Sequence, residues 1–251
     1  MSSTALKEPS TQGPEDKSKI GIPPVPIIDT PLSKSVALIR PTLVLSLLAI
    51  RFNELVAEPV STLRVALPVV AIIQAIYAIL CLPVAGSYTA KVAKKSRPGE
   101  KKKTDANSPN VISTAVLALL LTAISTPAVY VLFILFGAPF LDHVAHTLLC
   151  AAHFSLLGLF PVFYSRGVSS QALLAIAGAS APLDEPFGAL VGAVVGAWLG
   201  AIPIPLDWDR EWQKWPITIL VGLYTGSLSF SFASGWLLYG KHLAEAGEKD
   251  E

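Results

Sequence analysis

The sequence predicts an all-α membrane protein with six transmembrane helices, and three observations carry this prediction. Only 15% of the 251 residues are charged, compared with about 25% in soluble domains. The mean hydropathy is +0.57. Apolar stretches of roughly 20 residues, the length that crosses a bilayer as a helix, recur along the chain. The net charge of +1 provides no overall field that would attract nucleic acid.

Each apolar stretch defines one predicted helix of the membrane domain, which covers residues 36–240. Prolines inside two of the stretches do not exclude helices, because neighbouring helices and hydroxyl groups can satisfy the carbonyl that a proline frees in lipid. The fifth helix extends to Leu206 if the turn after it is helical. The predicted spans are residues 36–58, 63–88, 111–136, 143–164, 187–202 and 215–239.

Both ends of the chain are polar. Residues 1–35 are rich in proline and are predicted to form a disordered cytosolic tail. Residues 241–251 are predicted to form a second, short cytosolic tail. Cys81 and Cys150 fall inside apolar stretches without metal-ligand spacing, which argues against a disulfide framework.

The orientation follows from the segment between the second and third spans. The positive-inside rule places its cluster of cations in the cytosol, together with both termini and residues 165–186. The alternative interpretation is a patch that binds lipid headgroups or nucleic acid. The loops at 59–62, 137–142 and 207–214 then face the lumen. The cations are Lys91, Lys94, Lys95, Arg97, Lys101, Lys102 and Lys103.

A ladder of glycines runs along the fifth span. Gly188, Gly192, Gly196 and Gly200 recur every four residues and leave a smooth groove on one side of the helix. Small residues let helix backbones approach closely in lipid, where apolar burial gives little driving force. The groove is predicted to pack against a helix of a partner protein or, alternatively, against another span of the same chain. Both alternatives predict the same damage from substitution.

Residues 203–216, which we call the cap, follow the glycine ladder. Tryptophans suit the membrane interface, so one interpretation is a passive aromatic belt. The prolines indicate a stiff connection, which favours a lumenal surface that contacts a partner or lipid headgroups. Two aspartates spaced two apart suit a hard cation, but no further oxygen-rich cluster lies nearby in sequence. The candidate contact residues are Pro203, Pro205, Asp207, Trp208, Asp209, Arg210, Trp212 and Trp215.

Charged and titratable residues inside the predicted spans form two lesser candidates. Arg51 and Glu54 lie three residues apart in the first span, where they can pair and meet an anionic lipid or a partner's carboxylate; alternatively, Arg51 reaches the headgroups without any function. His143 and His146 share one helical face, with His153 further along. Haem or zinc ligation is the functional interpretation, and a surface pair plus one buried, hydrogen-bonded histidine is the structural one.

The run GAWLGAIPIPLDWDREWQKWPI at residues 196–217 resembles the PIG-F family of glycosylphosphatidylinositol (GPI) anchor biosynthesis. LFGAPFLD at 135–142 and SRGVSS at 165–170 are weaker similarities in the same order. Glu211 departs from the proline that is common at this place in the family. The resemblance implies a multi-pass subunit of the endoplasmic reticulum membrane that binds and stabilises a GPI ethanolamine-phosphate transferase. It also implies contact with membrane lipids, phosphatidylethanolamine or the GPI precursor among them.

Catalysis by this chain alone is not expected. The sequence holds no P-loop, no GxGxxG in a βαβ unit and no HExxH, and the lumenal loops are too short to build a two-metal cluster. No catalytic residue, metal or cofactor is predicted. The alternative function is a small lipid or solute transporter, which would suit glycine-rich and broken helices, although the two halves show no evident internal repeat.

Overall fold

The computed structural model describes residues 22–87, 110–206 and 208–243. Six of its helices are long and apolar enough to cross a membrane, as predicted. The helices are α1 (Pro31–Ile50), α2 (Phe52–Ala57), α3 (Pro59–Cys81), α4 (Val111–Leu135), α5 (Val144–Phe154), α6 (Phe160–Arg166), α7 (Ser170–Ala177), α8 (Glu185–Ala201) and α9 (Ile217–Trp236).

Two of the spans are composite. A five-residue π-helical turn, Ser155–Leu159, joins α5 to α6, so that Val144–Arg166 forms the fourth span. A 3₁₀ turn, Ile204–Leu206, continues α8, and the fifth span therefore reaches Leu206. The first, second, third and sixth spans are α1, α3, α4 and α9.

The fourth span lies at the centre of the bundle. It is 72% buried within the protein, whereas the first, second and third spans are 22%, 28% and 22% buried. Its Cys150 and Leu157 pack with Leu220 and Leu223 of α9 in the largest apolar core. The first three spans therefore present most of their surface outward, where apolar side chains such as Ile124 suit lipid.

The first span begins at Pro31, five residues before the predicted start. Thr30 caps the helix by accepting a hydrogen bond from the Ser33 amide, and Pro31 follows at the first helical position, where its fixed φ is favourable. Ahead of the helix, residues 22–30 run without helix, with Val25 buried and the Ile28 amide donating to the Cys81 carbonyl at 2.9 Å. The prediction of a disordered tail as far as residue 35 is therefore wrong from residue 22 onward.

Two other helix ends differ from the prediction by seven or eight residues. The first span stops at Ile50 and a short helix, α2, follows, so Arg51 lies at a helix break. The second span stops at Cys81 rather than at residue 88, because Leu82 is extended ahead of Pro83, as residues before proline prefer.

Several predictions lie outside the described residues. They concern residues 1–21, the cationic segment at 91–103, Asp207 of the cap and the last eight residues of the chain, 244–251. The orientation across the membrane, which rests on that cationic segment, therefore remains a prediction.

Candidate functional site

The glycine ladder packs against the last helix of the same chain. A Cβ atom added at Gly192 or Gly196 would lie less than 3.0 Å from the backbone of Gly226 or Gly222 in α9, and one at Gly200 would meet the backbone at Thr218. Gly222 and Gly226 meet the α8 backbone in return. Small residues thus face one another on both helices, and α8 and α9 form the most extensive helix contact described.

This packing corresponds to the second alternative for the glycine ladder, contact with another span of the same chain. Because α9 fills the groove, the predicted docking of a partner's helix onto Gly188, Gly192, Gly196 and Gly200 finds no free surface in this structure. The opposite side of α8 is open instead. Val194, Trp198 and Leu199 are exposed there, and Trp198 is the most exposed of the three.

Hydrogen bonds connect the two ends of the cap to each other and one end to the bundle. The Gln213 side chain donates to the Pro203 carbonyl at 2.8 Å and accepts from the Arg210 amide at 3.1 Å. The Trp215 indole N–H donates to the Thr147 hydroxyl of α5 at 3.0 Å. The Gln213 bonds link the two ends of the cap to each other, and the Trp215 bond ties the end next to α9 to the central span. Both features support the stiff connection that the prolines predict.

The middle of the cap remains accessible. Trp208 is 53% exposed, and its ring meets the Trp212 ring edge to face, with the centroids 5.8 Å apart. Asp209 and Arg210 are exposed, and Lys214 pairs with Glu211 at the surface. Below the cap lies a cleft of about 330 Å³ between the cap and helices α2, α8 and α9. The residues that line it are Phe52, Leu199, Gly200, Pro203, Trp212, Ile217, Thr218, Val221 and Gly222.

A buried polar cluster, absent from the sequence-based predictions, joins four helices. Its members are Arg40 of α1, Gln74 and Tyr77 of α3, Glu185 of α8 and Ser231 of α9. Arg40 is 3% exposed, lies 3.7 Å from the centroid of the Tyr77 ring and donates to the Ser231 hydroxyl at 2.6 Å. The Tyr77 hydroxyl donates to the Glu185 carboxylate. Gln74 lies 3.4 Å from Arg40 and from the Leu156 carbonyl.

Charge compensation explains how this cluster exists among apolar helices. A lone charge within a bilayer is expensive, so intramembrane charges face the bundle interior and pair with other groups. Here the cation of Arg40 and the carboxylate of Glu185 contact the same tyrosine from its ring face and its hydroxyl. Gly235 makes room for Glu185, because a Cβ atom there would collide with the glutamate side chain.

A buried ion pair secures the end of the bundle where the chain enters α1. Arg166 pairs with Asp184, and both side chains are at least 96% buried. The Asp184 carboxylate also accepts from the backbone amides of Val25 at 2.8 Å and Phe187 at 2.9 Å. Burial raises the pKa of the Asp184 carboxyl, while Arg166 and the two amides oppose that rise. This pair therefore attaches the residues before α1 to the start of α8.

The histidines form a surface pair and one buried, hydrogen-bonded residue, which is the structural interpretation given above. The ring of His153 is fully buried and joins two helices, because its Nε2 donates to the Leu63 carbonyl at 3.1 Å while Nδ1 accepts from the Tyr224 hydroxyl at 2.6 Å. The rings of His143 and His146 lie 4.9 Å apart near the surface. In the described parts of the chain, no group of three His, Cys, Asp or Glu side chains could hold a metal ion.

Arg51 and Glu54 form the predicted ion pair, but at the end of the first span rather than inside it. Their side chains are 56% and 57% exposed. Both line a cleft of about 360 Å³ between α1, α3 and α9. The remaining lining is mostly aliphatic.

Comparisons with known proteins find related sequences over most of the chain. Residues 39–235 match the GPI biosynthesis protein family Pig-F. Relatives carrying the name glycosylphosphatidylinositol anchor biosynthesis protein 11 occur in several fungi. The Neurospora crassa protein is 52% identical over 87% of this chain and 80% of its own length, and the Pyricularia oryzae protein is 50% identical over 79% and 75%. The Aspergillus fumigatus protein is 36% identical over 95% of this chain and 91% of its own length. No solved structure matches.

Proposed function

This chain belongs to the GPI biosynthesis protein family Pig-F, and from this premise we propose that it is a non-catalytic membrane subunit of GPI-anchor biosynthesis. It binds and stabilises a GPI ethanolamine-phosphate transferase in the endoplasmic reticulum membrane. Family membership over residues 39–235 is the observation that carries the proposal. Both termini lie in the cytosol in this proposal, as the positive-inside rule predicts.

The cap is the proposed contact surface for the transferase. Trp208 and Arg210 belong to residue types that dominate the binding energy of protein interfaces. Both are exposed, while Gln213 and Trp215 hold the flanking backbone. A surface that is already ordered loses less conformational entropy on binding. The orientation that places the cationic segment in the cytosol places the cap on the lumenal side.

The glycines have an indirect role in this proposal. They hold α8 against α9 and so fix the positions of the two helix ends that the cap connects. Pro203, Pro205, Asp209, Trp212 and Trp215 then shape or flank the surface, and Asp207, outside the described residues, is a contact predicted from the sequence alone. Arg51, at the break between α1 and α2, and Glu54 in α2 form a separate candidate contact.

A double substitution in the cap tests the proposal. We expect Trp208→Ala with Arg210→Glu to reduce recovery of the transferase in detergent pull-downs about thirtyfold, since truncating interface hot spots costs about 2 kcal/mol or more. The thermal midpoint of the isolated subunit should stay unchanged, because both side chains are exposed.

The control variant exchanges the charges of an exposed ion pair outside the cap. Asp29→Lys with Lys34→Asp alters a pair next to α1 and should leave transferase recovery intact. Equal recovery with the cap variant and the control would contradict docking through the cap. Purification without any transferase, together with a thermal shift caused by a small solute, would support the alternative of a small transporter.

A further inference from the structure

The cleft beside Arg51 runs from the end of the first span toward the middle of the bundle. Its walls are Val44, Leu47 and Leu48 of α1 and residues 61–70 of α3, and its floor is formed by Leu220 and Tyr224 of α9. Val70 lies nine residues after Ser61, the first residue of α3 that lines the cleft. At 1.5 Å per residue the cleft is therefore roughly 14 Å long, just under half of a 30 Å hydrocarbon layer.

The open end of the cleft lies at the depth of the lipid headgroups. Arg51 follows the last residue of α1, a span of 20 residues, and this length corresponds to about 30 Å, the thickness of the hydrocarbon layer. Ser61 and Thr62 add hydroxyl groups at the same end. The cleft is therefore polar at the headgroup level and aliphatic below it.

The charges at the open end cancel. Arg51 carries donors that suit a phosphate, and Glu54, three residues on, accepts from an ammonium group. The charges of the neighbouring Glu58 and Arg64 also cancel. An anionic headgroup would be repelled by Glu54 and a cationic headgroup by Arg51, so one headgroup carrying both charges matches the pair best.

We infer that this cleft binds a zwitterionic phospholipid. Arg51 contacts the phosphate, Glu54 contacts the ammonium group, and one acyl chain lies between α1 and α3 with Leu220 and Tyr224 beneath it. The inference rests on the geometry of this cleft and does not depend on the transferase partnership proposed above.

Native mass spectrometry of the purified, delipidated full-length chain tests the inference. Palmitoyl-oleoyl phosphatidylethanolamine and phosphatidylcholine are the zwitterionic probes, and phosphatidylglycerol is the anionic probe. We expect one lipid per chain, with at least one zwitterionic lipid binding about tenfold more tightly than phosphatidylglycerol, as charge-assisted hydrogen bonds would give. Equal binding of all three lipids, or a preference for phosphatidylglycerol, would overturn the inference.

Two variants separate the headgroup contact from the acyl contact. Arg51→Gln with Glu54→Gln should abolish the headgroup preference, whereas Asp29→Asn with Lys34→Gln removes an exposed ion pair outside the cleft and the cap and should preserve it. Ala66→Trp fills the cleft and should remove the bound lipid. Ala123→Trp on the exposed face of α4 is the control for adding a tryptophan and should leave the lipid bound.

A location experiment does not depend on how the Ala66 variant folds. A zwitterionic phospholipid with a photoreactive group in its acyl chain, reconstituted with the unmodified chain, should cross-link mainly within residues 62–70 of α3. Cross-links spread evenly over the outer faces of α1, α3 and α4 would indicate ordinary boundary lipid and would overturn the site.

Discussion

Helix α8 meets its neighbours through two unlike surfaces. Along its glycine side the backbone of α8 lies directly on that of α9, and the match is one of shape. At its first residue, Glu185 joins Tyr77 and Arg40 across three helices, and the match is one of charge. In lipid, apolar side chains gain little from leaving one apolar environment for another, so shape and polarity are left to select neighbours.

The two surfaces of α8 therefore have different roles in the bundle. The glycine surface pairs two consecutive spans as a hairpin and tolerates no added atom. The polar cluster connects that hairpin to α1 and α3, where fewer contacts bind the helices together. Substitutions should therefore have different consequences on the two surfaces, and three predictions follow in order of size.

Gly196→Leu should have the largest effect. The new side chain would meet the backbone of Gly222 and Gly226, which cannot rotate away as a side chain can, so the cost should exceed the roughly 1–3 kcal/mol of ordinary overpacking. Fluorescence-detected size-exclusion chromatography after heating measures the loss of folded protein. Val194→Leu on the exposed side of α8 is the control, and equal melting of the two variants would contradict backbone contact.

Arg40→Met should come second, with a loss of about 3 kcal/mol, because it leaves the carboxylate of Glu185 buried without its cation. Adding Glu185→Gln should recover part of that loss. A double-substitution cycle on thermal or denaturant unfolding in detergent measures the coupling. Purely additive losses would mean that the two charges do not compensate each other.

Tyr77→Phe should have the smallest effect. It removes the hydroxyl that donates to Glu185 but keeps the ring beneath Arg40, and hydrogen bonds between membrane helices average about 0.6 kcal/mol. The same unfolding assay should register a small decrease in stability. A loss as large as that of Arg40→Met would show that the hydroxyl, rather than the pairing of charges, maintains the cluster.

The six spans were predictable because each is a long apolar stretch with few charges. The glycine spacing likewise predicted a close helix contact, but not its partner. A four-residue repeat describes one side of a contact. On the facing helix the same spacing occurs only once, from Gly222 to Gly226, and Gly235 lies outside that register. The choice between a partner's helix and α9 therefore required the structure.

The polar cluster was missed because of two misplaced helix starts. With the first span begun at Val36, Arg40 is near the membrane edge and needs no partner. With the observed start at Pro31, it is the tenth of 20 residues and therefore an intramembrane charge, which by default demands an explanation. Thr30 ahead of Pro31 was the available signal. The equivalent signal for the fifth span was Asp184, the N-cap residue of α8, which is followed by Glu185 and Pro186.

Arg40 and its partner Ser231 are 191 residues apart in the chain, and this separation has a consequence for biosynthesis. At translation rates of roughly 5–20 residues per second, Ser231 emerges about 10 to 40 s after Arg40. Throughout that interval the guanidinium lacks the hydroxyl that accepts from it, and for most of it the carboxylate of Glu185 is missing as well. Gln74 and the Tyr77 ring of α3 are made early, but the carboxylate and the hydroxyl arrive only with the α8–α9 hairpin. The polar cluster around Arg40 is therefore completed only after the last span has been made.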